Sequence, residues 1–183
     1  WAIDMSNDGS VVVGGSSTTG NLFQHAFRWT ATGGMTDLGT LGGTYTQAKA
    51  VSGDGTTVVG VSTLASEALA HAFRWTVAEG IVDLGTLGGD TSYARAVSRD
   101  GSVVVGYATT ASSAQQAFRW SEATGMRSVV DLLTASGVDM TGARVPFRPI
   151  RDVAELEENL GTRVMAGFGG VAEYGITVRW NKN

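Results

Sequence analysis

The chain has 183 residues, a net charge of −4, 43% hydrophobic and 16% charged residues, and no cysteine. That is apolar material enough for the core of one ordinary domain, while the acidic balance and scattered Lys and Arg argue against a phosphate-binding surface for nucleic acid. Disulfides, thiol catalysis and thiolate metal sites are excluded, and no apolar run approaches the roughly 20 residues of a membrane-spanning helix.

The chain opens on Trp1 with no leader, which reads as a processed or excised piece whose targeting signal is missing. An apolar strand at 2–6 runs into Asn7-Asp8-Gly9, and Asp-Gly between apolar residues signals a hairpin. Val11-Val12-Val13-Gly14 follows, apolar on both faces, as in a strand covered on both sides. After a polar loop comes His25-Ala26-Phe27-Arg28-Trp29, then Met35-Thr36-Asp37-Leu38, then the glycine-rich stretch 39–43. The order returns as 48–52, Gly53-Asp54-Gly55, Val58-Val59-Gly60, His71-Ala72-Phe73-Arg74-Trp75, Ile81-Val82-Asp83-Leu84 and 85–89. It returns again as 94–98, Arg99-Asp100-Gly101, 103–106, Gln116-Ala117-Phe118-Arg119-Trp120 and Val129-Val130-Asp131-Leu132. A weak fourth copy ends in Val178-Arg179-Trp180. The tryptophan markers step by 75−29 = 46, 120−75 = 45 and 180−120 = 60, so one supersecondary unit is copied in tandem.

These elements predict an all-β fold of tandem four-stranded antiparallel blades, β-propeller-like, with a β-solenoid as the competing architecture. The expected organisation is a single repeat domain over 1–183, with units about 1–46, 47–92 and 93–133 and a degenerate terminal unit 134–183. Residues 129–138 also read as a short helix or long loop. No fourth strand follows Trp180, which leaves three readings: a piece cut from a longer propeller, a last blade of three strands, or an edge completed by a strand from a neighbouring molecule.

Arithmetic pairs the last two strands of each unit. Setting Arg28 against Asp37 puts Trp29 opposite Thr36 and Thr30 opposite Met35. Arg74 against Asp83 gives the same loop length, and Arg119 against Asp131 needs three residues more. The expectation is a structural cross-strand Arg–Asp pair in every complete unit, on the face opposite Phe and Trp, fixing register rather than doing chemistry.

The combination of Ala-Val-Ser-x-Asp-Gly, Val-Val-Gly, His-Ala-Phe-Arg-Trp and Asp-Leu-Gly-Thr-Leu-Gly-Gly resembles the HAF repeat, a family described as a probable extracellular repeat of bacteria. The match covers residues 1 to about 133, with Gln116 in place of His and Ile176-Thr177-Val178 in place of His-Ala-Phe as departures. The resemblance implies secretion or surface display, often as a passenger region of autotransporter-like proteins, and transfers no catalytic residue.

No catalytic, cofactor or metal site is expected from the residues themselves. His25 and His71 fill only two of four equivalent positions, which suits a strand-edge role better than catalysis or metal binding. Asp8, Asp54 and Asp100 lack the further acidic ligands that calcium prefers. The glycine pairs lack the lysine and helix of a phosphate cradle. Glu155, Glu157 and Glu158, near Asp152, read as a solvated edge. Phe23, Tyr45, Tyr93 and Tyr107, aromatics outside the repeated core, are candidate contacts to a sugar or protein, or fillers of the gaps between blades. The functional expectation is a non-catalytic extracellular or cell-surface module for adhesion, assembly or display, its partners a protein or glycan at a cell surface or further copies of itself. An extracellular carbohydrate-active hydrolase or lyase, and a lectin-like propeller, are the readings from other classes.

Overall fold

The computed structural model describes residues 1–138 apart from 19, 21 and 22. Over these residues the chain is nearly all β, with twelve strands and one short helix. Strands β1 (Ala2–Met5), β2 (Val11–Ser17), β3 (Gln24–Thr30) and β4 (Gly34–Asp37) pair antiparallel in chain order. Strands β5 (Gly42–Val51), β6 (Thr57–Leu64), β7 (Ala70–Thr76) and β8 (Gly80–Asp83) repeat the pattern. So do β9 (Gly88–Val97), β10 (Val103–Thr110), β11 (Gln115–Ser121) and β12 (Gly125–Ser128). One parallel pair, Gln24 with Tyr45, links the first sheet to the second. The sheets are open rather than closed on themselves.

The boundaries read from the sequence at 46/47 and 92/93 fall inside β5 and β9. The glycine-rich stretch after each fourth strand is the start of the next sheet, not the tail of the last. Space explains it: a Cβ at Gly43 would lie 2.6 Å from the Leu64 carbonyl oxygen, and one at Gly89 2.5 Å from that of Thr110. Only glycine lets the strand begin that close to its neighbour. The last sheet runs into helix α1 (Val129–Ala135), capped at its N-terminus by Ser128. The degenerate terminal unit, the strand at 175–180 and its open edge, and the glutamates at 155–158 lie outside the described residues.

Each hairpin from first to second strand is tied by one repeated network. Ser6 Oγ donates to Asp8 Oδ1 at 2.6 Å and accepts from Val11 N–H at 3.0 Å, while Ser10 donates to the same carboxylate oxygen from both N–H and hydroxyl. Ser52, Asp54 and Thr56 repeat it, as do Ser98, Asp100 and Ser102. The serine hydroxyl above all, then the N–H and hydroxyl two residues on, holds the Asp8 and Asp100 carboxyls down to about 2 and lowers that of Asp54. These aspartates are spoken for as turn formers.

The core lies between sheets. Directly paired residues share a face, and the row Val51–Val58–Trp75–Ile81 crosses the second sheet in register. That row meets Val11, Val13, Ala26 and Leu38 of the first sheet. In the third sheet the row Val97–Val104–Trp120–Met126 meets Val59, Ala72 and Leu84 of the second. Each sheet therefore has a rear face, bearing Phe and Trp, and a forward face of smaller Val, Ala and Leu, and where two sheets adjoin the rear face of the later one meets the forward face of the earlier. This two-sided burial is why the valine runs do not alternate with polar residues. It also explains the glycine of Val-Val-Gly. Gly60 is paired with Phe73, whose ring would lie 2.9 Å from an added Cβ, so the ring is laid across bare backbone, and Gly106 does the same for Phe118.

Candidate functional site

The three arginine–aspartate pairs expected from sequence, Arg28–Asp37, Arg74–Asp83 and Arg119–Asp131, do not form. Asp37 is paired with Phe27 and Asp83 with Phe73, which puts each carboxylate on the Phe–Trp face and each arginine on the other. The register slips by one residue, and a one-residue slip moves a side chain across the sheet. The turn sets it. Only residues 31–33 separate Thr30 from its partner Gly34, which takes φ 66, and Gly80 and Gly125 do likewise at φ 72 and 65. A residue with positive φ closing a three-residue hairpin loop is the favoured geometry. In the third unit Asp131 stands in the first turn of α1, and Ser128 takes the position opposite Phe118. The third turn is thus as short as the others.

Asp37 meets His25 instead, Nδ1 to Oδ2 at 2.7 Å, and Asp83 meets His71 at 2.8 Å. The other carboxylate oxygen accepts the N–H of Gly39, or of Gly85, at 2.8 Å, fastening the exit of the fourth strand. In the third unit both members change together: Ser128 Oγ donates to Gln116 Oε1 at 2.8 Å and accepts from Val130 N–H, starting the helix. The pair is a rung that ties the third strand to the end of the fourth. A Gln–Ser bond, with no group that takes up a proton, serves where a His–Asp bond serves elsewhere, which suits a structural hydrogen bond and not a general base.

Two of the three arginines reach across to the next sheet. Arg28 donates to the carbonyl of Gly55 in the second sheet at 3.2 Å. Arg74 bonds Glu79 in its own sheet and lies 5.9 Å from the ring centre of Trp120 in the third, within reach of a cation–π contact. Arg119 donates to Ser121 Oγ at 3.4 Å.

Of the four aromatic candidates, three are half-buried on neighbouring strands and Phe23, just before β3, is exposed. Tyr93 on β9 is paired with Tyr107 on β10, and their rings stack with centroids 4.9 Å apart. Arg95 lies 5.3 Å over the Tyr107 ring and donates to its hydroxyl at 3.3 Å. On β5, Gln47 Oε1 accepts from both the Tyr45 hydroxyl and the Lys49 ammonium. The two strands communicate. Burial raises the Tyr45 phenol above its ordinary value, opposed by a hydrogen bond to Gln24 and reinforced by nearby Tyr93. Burial lowers the Lys49 ammonium, and the charge of Arg95 lowers it further. Lys49 and Arg95 hold equivalent positions in their units, where the first unit has Ile3. Sequence reading found the three tyrosines but missed both cations and the glutamine between them. The signal was available: 45, 47, 49 and 93, 95 alternate along the strands with the buried residues Thr46, Ala48, Ser92 and Ala94. The result is a partly dehydrated patch of tyrosine rings and two cations, suited to stacking on a planar or sugar ring while holding an anionic group. Among the described residues, no three His, Asp or Glu side chains are grouped to hold a metal ion.

No family model matches the chain. An uncharacterized protein of Rickettsia prowazekii (strain Madrid E), RP006, is 53% identical over 36 residues, which are 20% of this chain and 5% of that protein. Among solved structures, TolB from Acinetobacter baumannii matches 68% of this chain and 31% of its own with a TM-score of 0.51 and 18% identity. A structure described as a TolB of Agrobacterium tumefaciens matches 70% of this chain and 48% of its own at the same TM-score and 14% identity. The chain thus spans less than half the length of each of these three proteins. At these identities the likeness concerns the fold alone.

Proposed function

We propose that this chain is a β-propeller-type array of four-stranded blades serving as a non-catalytic recognition module, displayed outside a bacterial cell or on its surface. Its ligand is an acidic glycan, held beside the stacked rings of Tyr93 and Tyr107 by Lys49 and Arg95. The carrying observation is the half-buried tyrosine–cation patch on β5, β9 and β10, where the charge of Arg95 reaches the Lys49 ammonium. Burying two like charges together costs free energy that an anionic ligand offsets. The His–Asp rungs and the turn aspartates support the non-catalytic part of the reading, since their hydrogen-bonding capacity is taken up in register and turns. The fold likeness supports the propeller-type part.

A glycan array carrying uronate, sialylated, sulphated and neutral oligosaccharides tests the ligand. Binding is expected on acidic members and absent from neutral ones, and Lys49→Met is expected to weaken it by roughly tenfold, the worth of one modest charge-assisted contact. No binding to any acidic member by the folded protein would overturn the assignment. Surface display is tested separately: brief protease treatment of intact cells should release peptides of this chain.

A further inference from the structure

The row Met5–Val12–Trp29–Met35 crosses the first sheet in the same register as the Trp75 and Trp120 rows. Its members are apolar, yet Met5 is 64%, Trp29 38% and Met35 60% exposed, whereas Trp75 is 9% exposed. Trp1, at the edge of the same sheet, is 65% exposed. The turn glycines report the same difference. A Cβ at Gly55 would lie 2.6 Å from Val11 of the preceding sheet, and one at Gly101 2.3 Å from the Thr57 hydroxyl of its own preceding sheet. One at Gly9 meets nothing within 4 Å.

We infer that the rear face of the first sheet is an interface, and that its occupant is the forward face of another four-stranded sheet of this same repeat. Contiguous exposed apolar surface of this kind marks a binding face, and the repeat itself specifies the partner. Twice among the described residues that row is covered, both times by a forward face of valine, alanine and leucine. Both times an arginine of the covering sheet reaches back: Arg28 to the Gly55 carbonyl, and Arg74 over the Trp120 ring. The equivalents on the open face are the Gly9 carbonyl and the Trp29 ring, so the incoming sheet brings an arginine to one or both. This interface does not depend on the tyrosine–cation patch, which lies on β5, β9 and β10.

The test places such a sheet in register. Ala2, Ala48 and Ala94 are equivalent, each beside the glycine of its Val-Val-Gly strand. Residues 42–92 duplicated directly ahead of Trp1 therefore continue the repeat without a linker. Methionine oxidation by dilute hydrogen peroxide, read by peptide mass spectrometry, reports the cover. In the unaltered chain Met5 and Met35 should oxidise faster than the covered equivalent Met126. In the extended chain they should slow by roughly tenfold, toward Met126, as a thioether removed from solvent does. Leu84→Glu in the added copy alone should restore the fast rate. The inference is overturned if Met5 and Met35 keep their rate beside a folded added copy. It is equally overturned if the added copy stays protease-sensitive up to Trp1, because a face built for that sheet would hold it. Protection in the unaltered chain would also overturn it if crosslinking mass spectrometry placed this rear face against the rear face of a second copy rather than against its forward face. A head-to-tail series of oligomers would support it.

Discussion

Trp29 and Trp75 stand at the same place in two sheets of the same design, and they live in different surroundings. Trp75 is pressed between Ile81 and Val58 under the forward face of the first sheet; Trp29 is open to water on one side. Local sequence around them is nearly identical, His-Ala-Phe-Arg-Trp-Thr in both. The comparison teaches that in a stacked repeat the energetic weight of a residue is set by its neighbour unit, not by its own.

The largest effect should come from breaking that asymmetry directly. Trp75→Ala should cost roughly 3–5 kcal/mol, the range for deleting a buried aromatic with a cavity left behind. Trp29→Ala should cost less than half as much, and Met35→Ala should stay within about 0.5 kcal/mol. Urea denaturation of the three variants checks it, and equal losses at Trp29 and Trp75 would mean that the first rear face is covered in solution.

The turn glycines sharpen the same contrast at smaller scale. Gly9 and Gly55 have matching positive φ of 69 and 73, so alanine brings the same backbone strain of about 1 kcal/mol to both. Gly55→Ala must also displace Val11, and overpacking adds roughly 1–3 kcal/mol. The difference between the two midpoints isolates the cost of crowding the sheet before.

A third comparison sets the His–Asp rungs against the Gln–Ser one. His71→Gln and Asp83→Ser should each cost about 1 kcal/mol by orphaning a hydrogen-bonding partner. The double variant rebuilds the Gln–Ser rung of the third unit, so its loss should fall short of the summed singles by at least about 0.5 kcal/mol. Strict additivity would show that the rung is not a coupled pair.

The smallest effect concerns acid. The Asp8 and Asp100 carboxyls titrate at about 2 in the fold against an ordinary 3.8. Between those values the unfolded chain binds more protons, so stability falls as pH drops from 3.8 through 2 and is fully present above. Asp100→Asn should flatten that part of the pH–stability curve. An unchanged slope would mean that the hydroxyl network does not hold in solution.

Much of the fold was legible in the residues. The mid-forties period, the Asp-Gly hairpins and the doubly apolar valine strands correspond to elements of all three sheets, and Gly opposite Phe is already present as a paired motif. The rung was legible too, though by spacing rather than by charge: 37−25, 83−71 and 128−116 all equal 12, and His–Asp becomes Gln–Ser in one step. Matching Asp131 to Asp37 by residue type hid it. The turn decided between the two readings, because four loop residues would set arginine against aspartate and three set phenylalanine there.

Repetition, strand identity and turn position belong to the amino-acid sequence alone, since each depends on side-chain period and backbone preference over a few residues. Which arginine bridges to which carbonyl, which cations share a patch and which tryptophan is covered were decided only when the sheets stacked. Those properties depend on a one-residue register, which the three-residue turn sets, and on the neighbouring sheet, which the unit bearing the residue does not encode.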